Sequence, residues 1–173
     1  MALQLEYNLI ERTGERDLLP MAKELGLGVT LWSPLAGGVL TGKYSRADLA
    51  STAPDDNSSA RKGFNVALGG VTERSLSIVD VVKEVAAEQG RTPAQIGLAW
   101  TLQNPAVTSP IVGARTLVQL KDNLGALEVE LSADQMERLN RVSAVELGFP
   151  HAMLASDHIR VQTRGDLKIE AFG

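Results

Sequence analysis

The apolar residues of this chain change period along its length, in a way that predicts short strands separated by helices. The first segment, "LQLEYNL" at 3–9, alternates strictly between apolar and polar residues, which is typical of a half-buried strand. The second, "LGVTLW" at 27–32, is mostly apolar and predicts a strand buried on both faces, as in parallel sheets. In the third, "AVTSPIVG" at 106–113, Pro110 indicates a strand end or an edge. Strands separated by helices predict a parallel sheet, and only three strands with two open edges indicate part of a larger one.

The predicted helices begin and end at recognisable signals. A helix within 14–26 ends at Gly26, and apolar residues at steps of three and four predict another over 72–89. Capping-box spacings then open three more helices: "TPAQ" at 92–95, "TLVQ" at 116–119 and "SADQ" at 132–135. We expect the last two helices to run to about 127 and 147. The predicted order is therefore β-α-β-loop-α-α-β-α-α, an α/β fold.

Two segments carry no such period. Residues 33–70 include a Ser-, Ala- and Asp-rich stretch with few large apolar residues, which predicts a long loop that either covers a ligand or has no function. Residues 151–173 form a tail without a clear period. We therefore divide the chain into a main unit at 1–150 and a C-terminal tail at 151–173.

Composition excludes several classes of function. The chain has 173 residues, a net charge of −4 and no cysteine, so disulfides, cysteine-ligated zinc and thiol catalysis are excluded. An acidic chain with scattered basic residues lacks the footprint of a nucleic-acid-binding protein. The start of the chain does not resemble a signal peptide, and no apolar run is long enough to span a membrane. We expect a cytoplasmic protein with no nucleic-acid or membrane partner.

The stretch "GGVLTGK" at 37–43 fits most of a P-loop, G-x-x-x-x-G-K. A P-loop also needs Ser or Thr after the lysine, to hold Mg²⁺, and a helix directly behind it. Here Tyr44 follows Lys43 and a polar loop follows Tyr44. The motif context therefore argues against an NTPase, which stays only as a remote alternative.

A second anion site is predicted where "IVGARTLVQLKDN" at 111–123 passes from a strand into a capped helix. The first N–H groups of such a helix and its dipole favour an anion. Arg115 lies directly before the N-cap, where a guanidinium can grip a phosphate. Gln119 and Asn123 follow one and two turns later on the same face. Ordinary helix capping beside a solvated arginine explains the same spacing, and the spacing alone does not decide between the two.

Four segments together resemble the aldo-keto reductase family: "LEYNLIER", "LGVTLWSPLAGGVLTGKY", "TPAQIGLAWTLQNPAVTSPIVGARTLVQLKDNLGAL" and "LGFP". The resemblance covers about residues 3–150 and is similar to the branch that includes bacterial reductases and potassium-channel β subunits. It implies a partial (β/α)8 TIM barrel, made of about the last three β/α units plus C-terminal helices. It also implies oxidoreductase chemistry with NADP(H): hydride transfer between the cofactor and a carbonyl or alcohol.

The resemblance implies a role for twelve residues. Gln4 would contact the nicotinamide amide, and Trp32 would stack on the nicotinamide ring. Arg115 with Gly113 would hold the 2′-phosphate, which favours NADP(H) over NAD(H). The pyrophosphate would be lined by Ser33, Pro34, Leu35, Gly38 and Lys43, and the adenine end by Gln119, Asp122 and Asn123. Core packing for Trp32 and solvation for Lys43 are the plain alternatives.

No catalytic residue and no metal ligand is transferred to this chain. The family reduces carbonyls with a Tyr acid assisted by Lys, Asp and His, which come from its first five strands. Tyr7 and Tyr44 do not occupy the catalytic tyrosine motif, and His151 and His158 lie outside the family's catalytic motif. A complete barrel of this type takes about 250 residues.

Three hypotheses follow from these observations. In the first, the chain is the cofactor-binding half of a reductase, silent on its carbonyl substrate until an N-terminal half completes it. In the second, it is a non-catalytic module that binds NADP(H) or docks on a partner. In the third, it is an NTPase acting through 37–43. Pairing of open sheet edges into a homo-oligomer is compatible with the first two hypotheses.

Overall fold

The computed structural model of the chain describes residues 1–49, 70–146, 148–164 and 167. Three strands form one parallel sheet in the order β1-β2-β3: Ala2–Glu6, Gly28–Trp32 and Ser109–Pro110. Leu5 of β1 lies opposite Leu31 of β2, and Leu31 lies opposite Pro110 of β3. The predicted parallel α/β arrangement is confirmed for the described residues.

Seven α-helices lie in the described part of the chain. In chain order, α1 to α7, they are Leu18–Glu24, Glu73–Gln89, Pro93–Leu102, Leu117–Leu124, Ala133–Val142, His151–Ala155 and Asp157–Arg164. Turns of 3-10 helix lie at Thr13–Glu15, Ala36–Thr41, Arg46–Leu49 and Gly125–Glu128. The predicted loop 33–70 is thus partly ordered into two short turns, and the rest of it, 50–69, lies outside the described residues.

The predicted helix starts are confirmed, with one difference. The Thr92 side chain accepts a hydrogen bond from Gln95 N–H, and the Gln95 side-chain oxygen accepts one from Thr92 N–H. Ser132 and Gln135 form the same reciprocal pair. At α4 only half of the box forms. Thr116 caps Gln119 N–H, but the Gln119 side chain accepts instead from the backbone N–H of Arg115, at 2.9 Å.

Several predicted boundaries are wrong. The first strand ends at Glu6 because Asn8 is completely buried and folds the chain into a turn, its Oδ1 accepting from the N–H groups of Ile10 and Glu11. The third strand, predicted over 106–113, is limited to Ser109–Pro110. Helix α5 stops at Val142 rather than near 147, since Arg74 of α2 hydrogen-bonds the carbonyls of Ser143 and Ala144. The tail at 151–173 was predicted to have no regular period of apolar residues, but its described part contains the two short helices α6 and α7.

One face of the sheet carries the core and the other is open. Val29 and Leu31 are fully buried against a cluster contributed by α1, α2, α3 and α5, which includes Ala22, Val82, Ile96 and Leu139. On the other face Gln4 lies opposite Thr30, and Glu6 lies opposite Trp32, which is 47% exposed. The expectation that β2 is buried on both faces is therefore wrong in the described structure. Parallel sheets are usually covered on both faces, so this open face marks the place where a further layer would fit.

Candidate functional site: a cleft between the β2 loop and two helix N-termini

The segment that follows β2 has an unusual backbone. Ser33 and Ala36 have positive φ angles of 51° and 49°, and Gly37 and Gly38 have 62° and 92°. Non-glycine residues rarely adopt this conformation, and surrounding contacts must hold them there. The buried Asn8 amide donates to the carbonyl of Ser33 at 3.0 Å, and Ser33 Oγ accepts from Gly37 N–H at 3.0 Å. Asn8 therefore connects the end of β1 to this turn.

Lys43 lies over the same turn. A Cβ built on Gly38 would lie 3.0 Å from Lys43 Nζ, so the ammonium group packs directly on this glycine. Nζ also lies 5.1 Å from the centre of the Tyr44 ring, which is buried. Residues 44–49 contain only a short 3-10 turn, so the α-helix that a P-loop needs behind its lysine is not found among the described residues. Lys43 is exposed and forms no ion pair within the described part of the chain.

The N-terminus of α4 supplies the second cation. Thr116 is the N-cap, and Arg115 lies directly before it, exposed and without an ion pair to any described residue. Gln119 accepts from Arg115 N–H, so it fixes the backbone from which the guanidinium extends. A glycine precedes at 113, and a Cβ built there meets nothing within 4 Å. The geometry leaves open space, a helix N-terminus and a guanidinium together, which suits an anion.

The N-terminus of α3 meets the last turns of α4 through Asp122. Thr92 Oγ1 donates to the Asp122 carboxylate, at 3.1 and 3.2 Å from its two oxygens. Gln95 Nε2 donates to the backbone carbonyl of Asp122 at 3.0 Å and to Oδ1 at 3.2 Å. The carboxylate is thus held by hydrogen bonds rather than by a cation.

These three parts enclose a cleft of about 940 Å³, at the upper end of the roughly 300–1,000 Å³ typical of ligand pockets. It brings together residues that lie far apart in the sequence. All of the predicted site residues except Gln4 and Trp32 line it: Ser33, Pro34, Leu35, Gly38, Lys43, Gly113, Arg115, Gln119, Asp122 and Asn123. Trp32 directly precedes Ser33, and Gln4 lies on the same open sheet face.

The cleft also contains residues that the sequence analysis did not assign to the site. Thr92, Pro93 and Ala94 had been recognised only as a helix start, yet they form one wall. Ile111, Val112 and Ala114 line it beside the predicted anion site, and Gly37 and Thr41 line it beside Lys43. A spacing pattern cannot reveal a wall that forms only when two helix N-termini meet. Asn8, which holds the loop from behind, was missed because it was assigned to the polar face of a strand.

Neither tyrosine is placed to act as a proton donor in the cleft. Tyr7 is 1% exposed, stacks on Trp100 with ring centres 5.1 Å apart, and donates its O–H to Glu15 at 2.6 Å. Burial, and then this hydrogen bond, raise the pKa of Tyr7 above its ordinary value.

The Glu6 carboxyl lies at the open sheet face. Burial and the neighbouring charge of Glu11 raise its pKa, and hydrogen bonds to Asn8 and Ser33 act in the opposite direction.

Among the described residues, no group of three or more His, Cys, Asp or Glu side chains is placed to bind a metal ion. No helix within 1–49, 70–146 or 148–164 is both long and apolar enough to cross a membrane.

Comparison with known proteins identifies the family. The sequence profile of the aldo/keto reductase family matches residues 1–144. An uncharacterized oxidoreductase of Bacillus subtilis is 38% identical over 139 residues, which are 80% of this chain and 39% of that protein. A probable voltage-gated potassium channel subunit beta of Oryza sativa is 41% identical over 128 residues, 73% of this chain and 38% of the relative. A putative aryl-alcohol dehydrogenase of Saccharomyces cerevisiae is 27% identical over 157 residues, 89% of this chain and 40% of the relative.

The chain spans about two fifths of the length of these curated relatives. The described three-stranded parallel sheet and its helices are consistent with part of the (β/α)8 barrel of the matched family. On the profile match and on these identities, the chain belongs to the aldo/keto reductase family.

Proposed function

We propose that this chain is the NADP(H)-binding portion of an aldo/keto-reductase-type oxidoreductase, its sheet corresponding to the last three strands of the barrel. The observation that carries the proposal is the cleft. It gathers two cations that form no ion pair with any described residue, Lys43 and Arg115, and two helix N-termini at one opening. Such an arrangement suits NADP(H), because the cofactor presents a pyrophosphate and a 2′-phosphate at separated points.

Each part of the cleft would bind a different part of the cofactor. The turn after β2, residues 33–38, and Lys43 would bind the pyrophosphate, since exposed positive charge and a tightly turned backbone suit phosphate oxygens. Arg115 with Gly113 would bind the 2′-phosphate by a bidentate contact. Gln119, Asp122 and Asn123 would bind the adenine end. Gln4 and Trp32 would contact the nicotinamide across the open sheet face, where the half-exposed indole has an accessible ring surface.

Bound NADPH would supply a hydride to a carbonyl carbon, and the developing alkoxide would then need a proton. Neither buried tyrosine can deliver one to the cleft, so we expect the chain by itself not to turn over an aldehyde. A small-molecule carbonyl substrate would be reduced only when an N-terminal half supplies the catalytic Tyr, Lys, Asp and His. The relatives named as an oxidoreductase and an aryl-alcohol dehydrogenase support this class of reaction.

An NADPH titration of the full chain, followed by quenching of tryptophan fluorescence, tests the proposal. We expect saturable binding, weakened by Arg115→Ala by about tenfold or more, as loss of a charge-assisted contact implies. The same substitution should leave NADH binding within about twofold, because NADH has no 2′-phosphate. Arg115→Lys serves as the matched variant, which keeps the positive charge but cannot make the bidentate contact of a guanidinium group. Absence of saturable NADPH binding would refute the proposal.

A partner-docking module without catalysis is the second candidate. Helix α4 has no buried residue, and its leucines at 117, 120 and 124, with Leu127 of the following 3-10 turn, form an exposed stripe at heptad spacing. Both edges of the sheet are also unpaired within the described residues, so a homo-oligomer or a second polypeptide would find an apolar surface and free strand edges. Sedimentation at increasing concentration, with Leu120→Lys as the variant, would reveal self-association through this stripe.

An NTPase remains the remote alternative, and Mg²⁺-dependent ATP hydrolysis lost in Lys43→Ala would support it. Residues 44–49 contain a 3-10 turn and no α-helix, which argues against it. We further propose a cytoplasmic location and no nucleic-acid or membrane partner, in keeping with the acidic composition.

A further inference from the structure

Helix α4 is held in place at its C-terminal end by polar contacts rather than by a core. None of its residues is buried, so packing alone does not fix its rotation. Gln95 of α3 is only 8% exposed, and its amide nitrogen contacts both the carbonyl and the carboxylate of Asp122. Its amide oxygen meanwhile accepts from Thr92 N–H at 3.2 Å. Gln95 therefore caps its own helix and holds α4 at the same time.

Gly125 makes this contact possible. A Cβ built at this position would lie 2.3 Å from Gln95 Nε2, closer than real Cβ atoms approach, and 3.2 Å from its Cδ, which is a tight contact. The backbone of Gly125 is helical, with φ −59° and ψ −16°, so any residue could adopt it. The need for glycine here is therefore steric: it leaves the space that the Gln95 amide occupies.

We propose that Gln95 and Gly125 are positioning residues that aim the Asp122 carboxylate at the amino group of the cofactor's adenine. The inference rests on the proposed NADP(H) function, and it explains how this site would distinguish adenine from other purines. A carboxylate only accepts hydrogen bonds, so its partner on the base must be a donor. The 6-amino group of adenine is such a donor, whereas hypoxanthine has an acceptor oxygen at the same place.

The Asp122 carboxylate can still accept a further hydrogen bond. Gln95 donates to Oδ1 of Asp122, and the single hydroxyl proton of Thr92 is shared between the two carboxylate oxygens. Each carboxylate oxygen has two lone pairs, so Oδ2 keeps one or more for a ligand. Asp122 and Asn123 both line the cleft, next to the space proposed for the base.

Gly125→Ala is the sharpest perturbation, because it displaces the Gln95 amide without adding a charge or straining the backbone. The experiment measures dissociation constants of the full chain for NADPH and for its hypoxanthine analogue, which lacks the amino group. We expect wild-type protein to prefer NADPH by about tenfold, the worth of one hydrogen bond to a charged group. Gly125→Ala should weaken NADPH binding by about the same factor and leave the analogue within about twofold.

A second variant and a control complete the test. Gln95→Met removes the amide at similar volume and should also abolish the preference for NADPH. Gly28→Ala is the matched glycine control, because its Cβ would meet only ordinary contacts, 3.6 Å from Thr108, away from the cleft. It should change neither constant.

The outcomes separate the two proposals. If wild-type chain binds neither ligand, the NADP(H) function fails and this inference fails with it. If wild-type chain binds both ligands equally, the function stands and the inference is wrong. If Gly125→Ala weakens both ligands by the same factor, the residue acts only on structure and the positioning role is refuted.

Discussion

Replacement of Asn8 should destabilise the turn that forms one wall of the cleft. The side chain is completely buried and hydrogen-bonds three backbone groups: Nδ2 donates to the Ser33 carbonyl at 3.0 Å, and Oδ1 accepts from the N–H groups of Ile10 and Glu11 at 2.8 and 2.9 Å. At about 1 kcal/mol for each bond, Asn8→Ala should lower the free energy of unfolding by about 2–3 kcal/mol. Part of the loss is offset because water can reach the half-buried backbone of residues 10 and 11.

Urea denaturation followed by tryptophan fluorescence measures this change, since Trp100 is buried against Tyr7 and reports on loss of the core. The matched control is Gln119→Ala. Its amide oxygen also accepts from a backbone N–H, at Arg115, but the bond is exposed to solvent. That variant should lose no more than about 0.5 kcal/mol.

A further consequence distinguishes the Asn8 contact to Ser33 from the turn contacts. Asn8→Asp keeps both acceptor bonds but loses the donor to the Ser33 carbonyl. Amide hydrogen exchange should therefore speed up at Gly37 and Gly38 in both variants, and at Ile10 and Glu11 only in Asn8→Ala. If Asn8→Ala unfolds within about 0.5 kcal/mol of wild type, the buried contacts do not hold the turn, and the account given above is wrong.

Two other perturbations test the cluster around Tyr7 and the approach of Lys43. Tyr7→Phe removes the O–H bond to Glu15 and the acceptor for Asn104, so denaturation should show a loss of about 1–2 kcal/mol. Because the folded-state pKa of Tyr7 is raised, its contribution to the free energy of unfolding is fully present below about pH 10 and is lost as pH rises further. Tyr7→Phe should not show this loss. If the stability of the variant and of wild type fell in parallel with pH, the assignment would be contradicted. Gly38→Ala should lower stability by about 1–2 kcal/mol through strain at φ +92° and also weaken NADPH binding by displacing Lys43. Gly90→Ala is its control, with φ +60° and nothing within 4 Å, so equal NADPH affinity in the two variants would contradict the role of Lys43.

Local signals predicted much of the secondary structure. The capping boxes at Thr92 and Ser132 form as their spacing indicates, because such a box involves only one helical turn. The left-handed Gly26 follows the end of α1 for the same local reason. Strand boundaries were predicted less well. Asn8 was assigned to a strand because it follows the polar alternation, but its Oδ1 accepts from the N–H groups of Ile10 and Glu11 and so ends the strand. Its amide also donates to Ser33, 25 positions later, a contact that no local pattern indicates.

The candidate site was likewise predicted only in part. Resemblance in four sequence segments was enough to predict the family and ten residues that the cleft brings together. Gly125 and Gln95 could not be predicted, since their contact joins the end of one helix to another helix and is visible only in three dimensions: a Cβ built on Gly125 would lie 2.3 Å from Gln95 Nε2.

The sequence by itself determined where five of the helices and the centres of the strands lie, since capping and periodicity act within a turn or two of the chain. It also determined the family, through motifs long enough to be specific. Only the tertiary structure decided where the strands end, that the sheet has one covered and one open face, and that Lys43 and Arg115 line the same cleft. It also showed that the Asp122 carboxylate is held by the neighbouring helix. Such features depend on distances between segments tens of residues apart, which packing of the whole chain sets and no local pattern encodes.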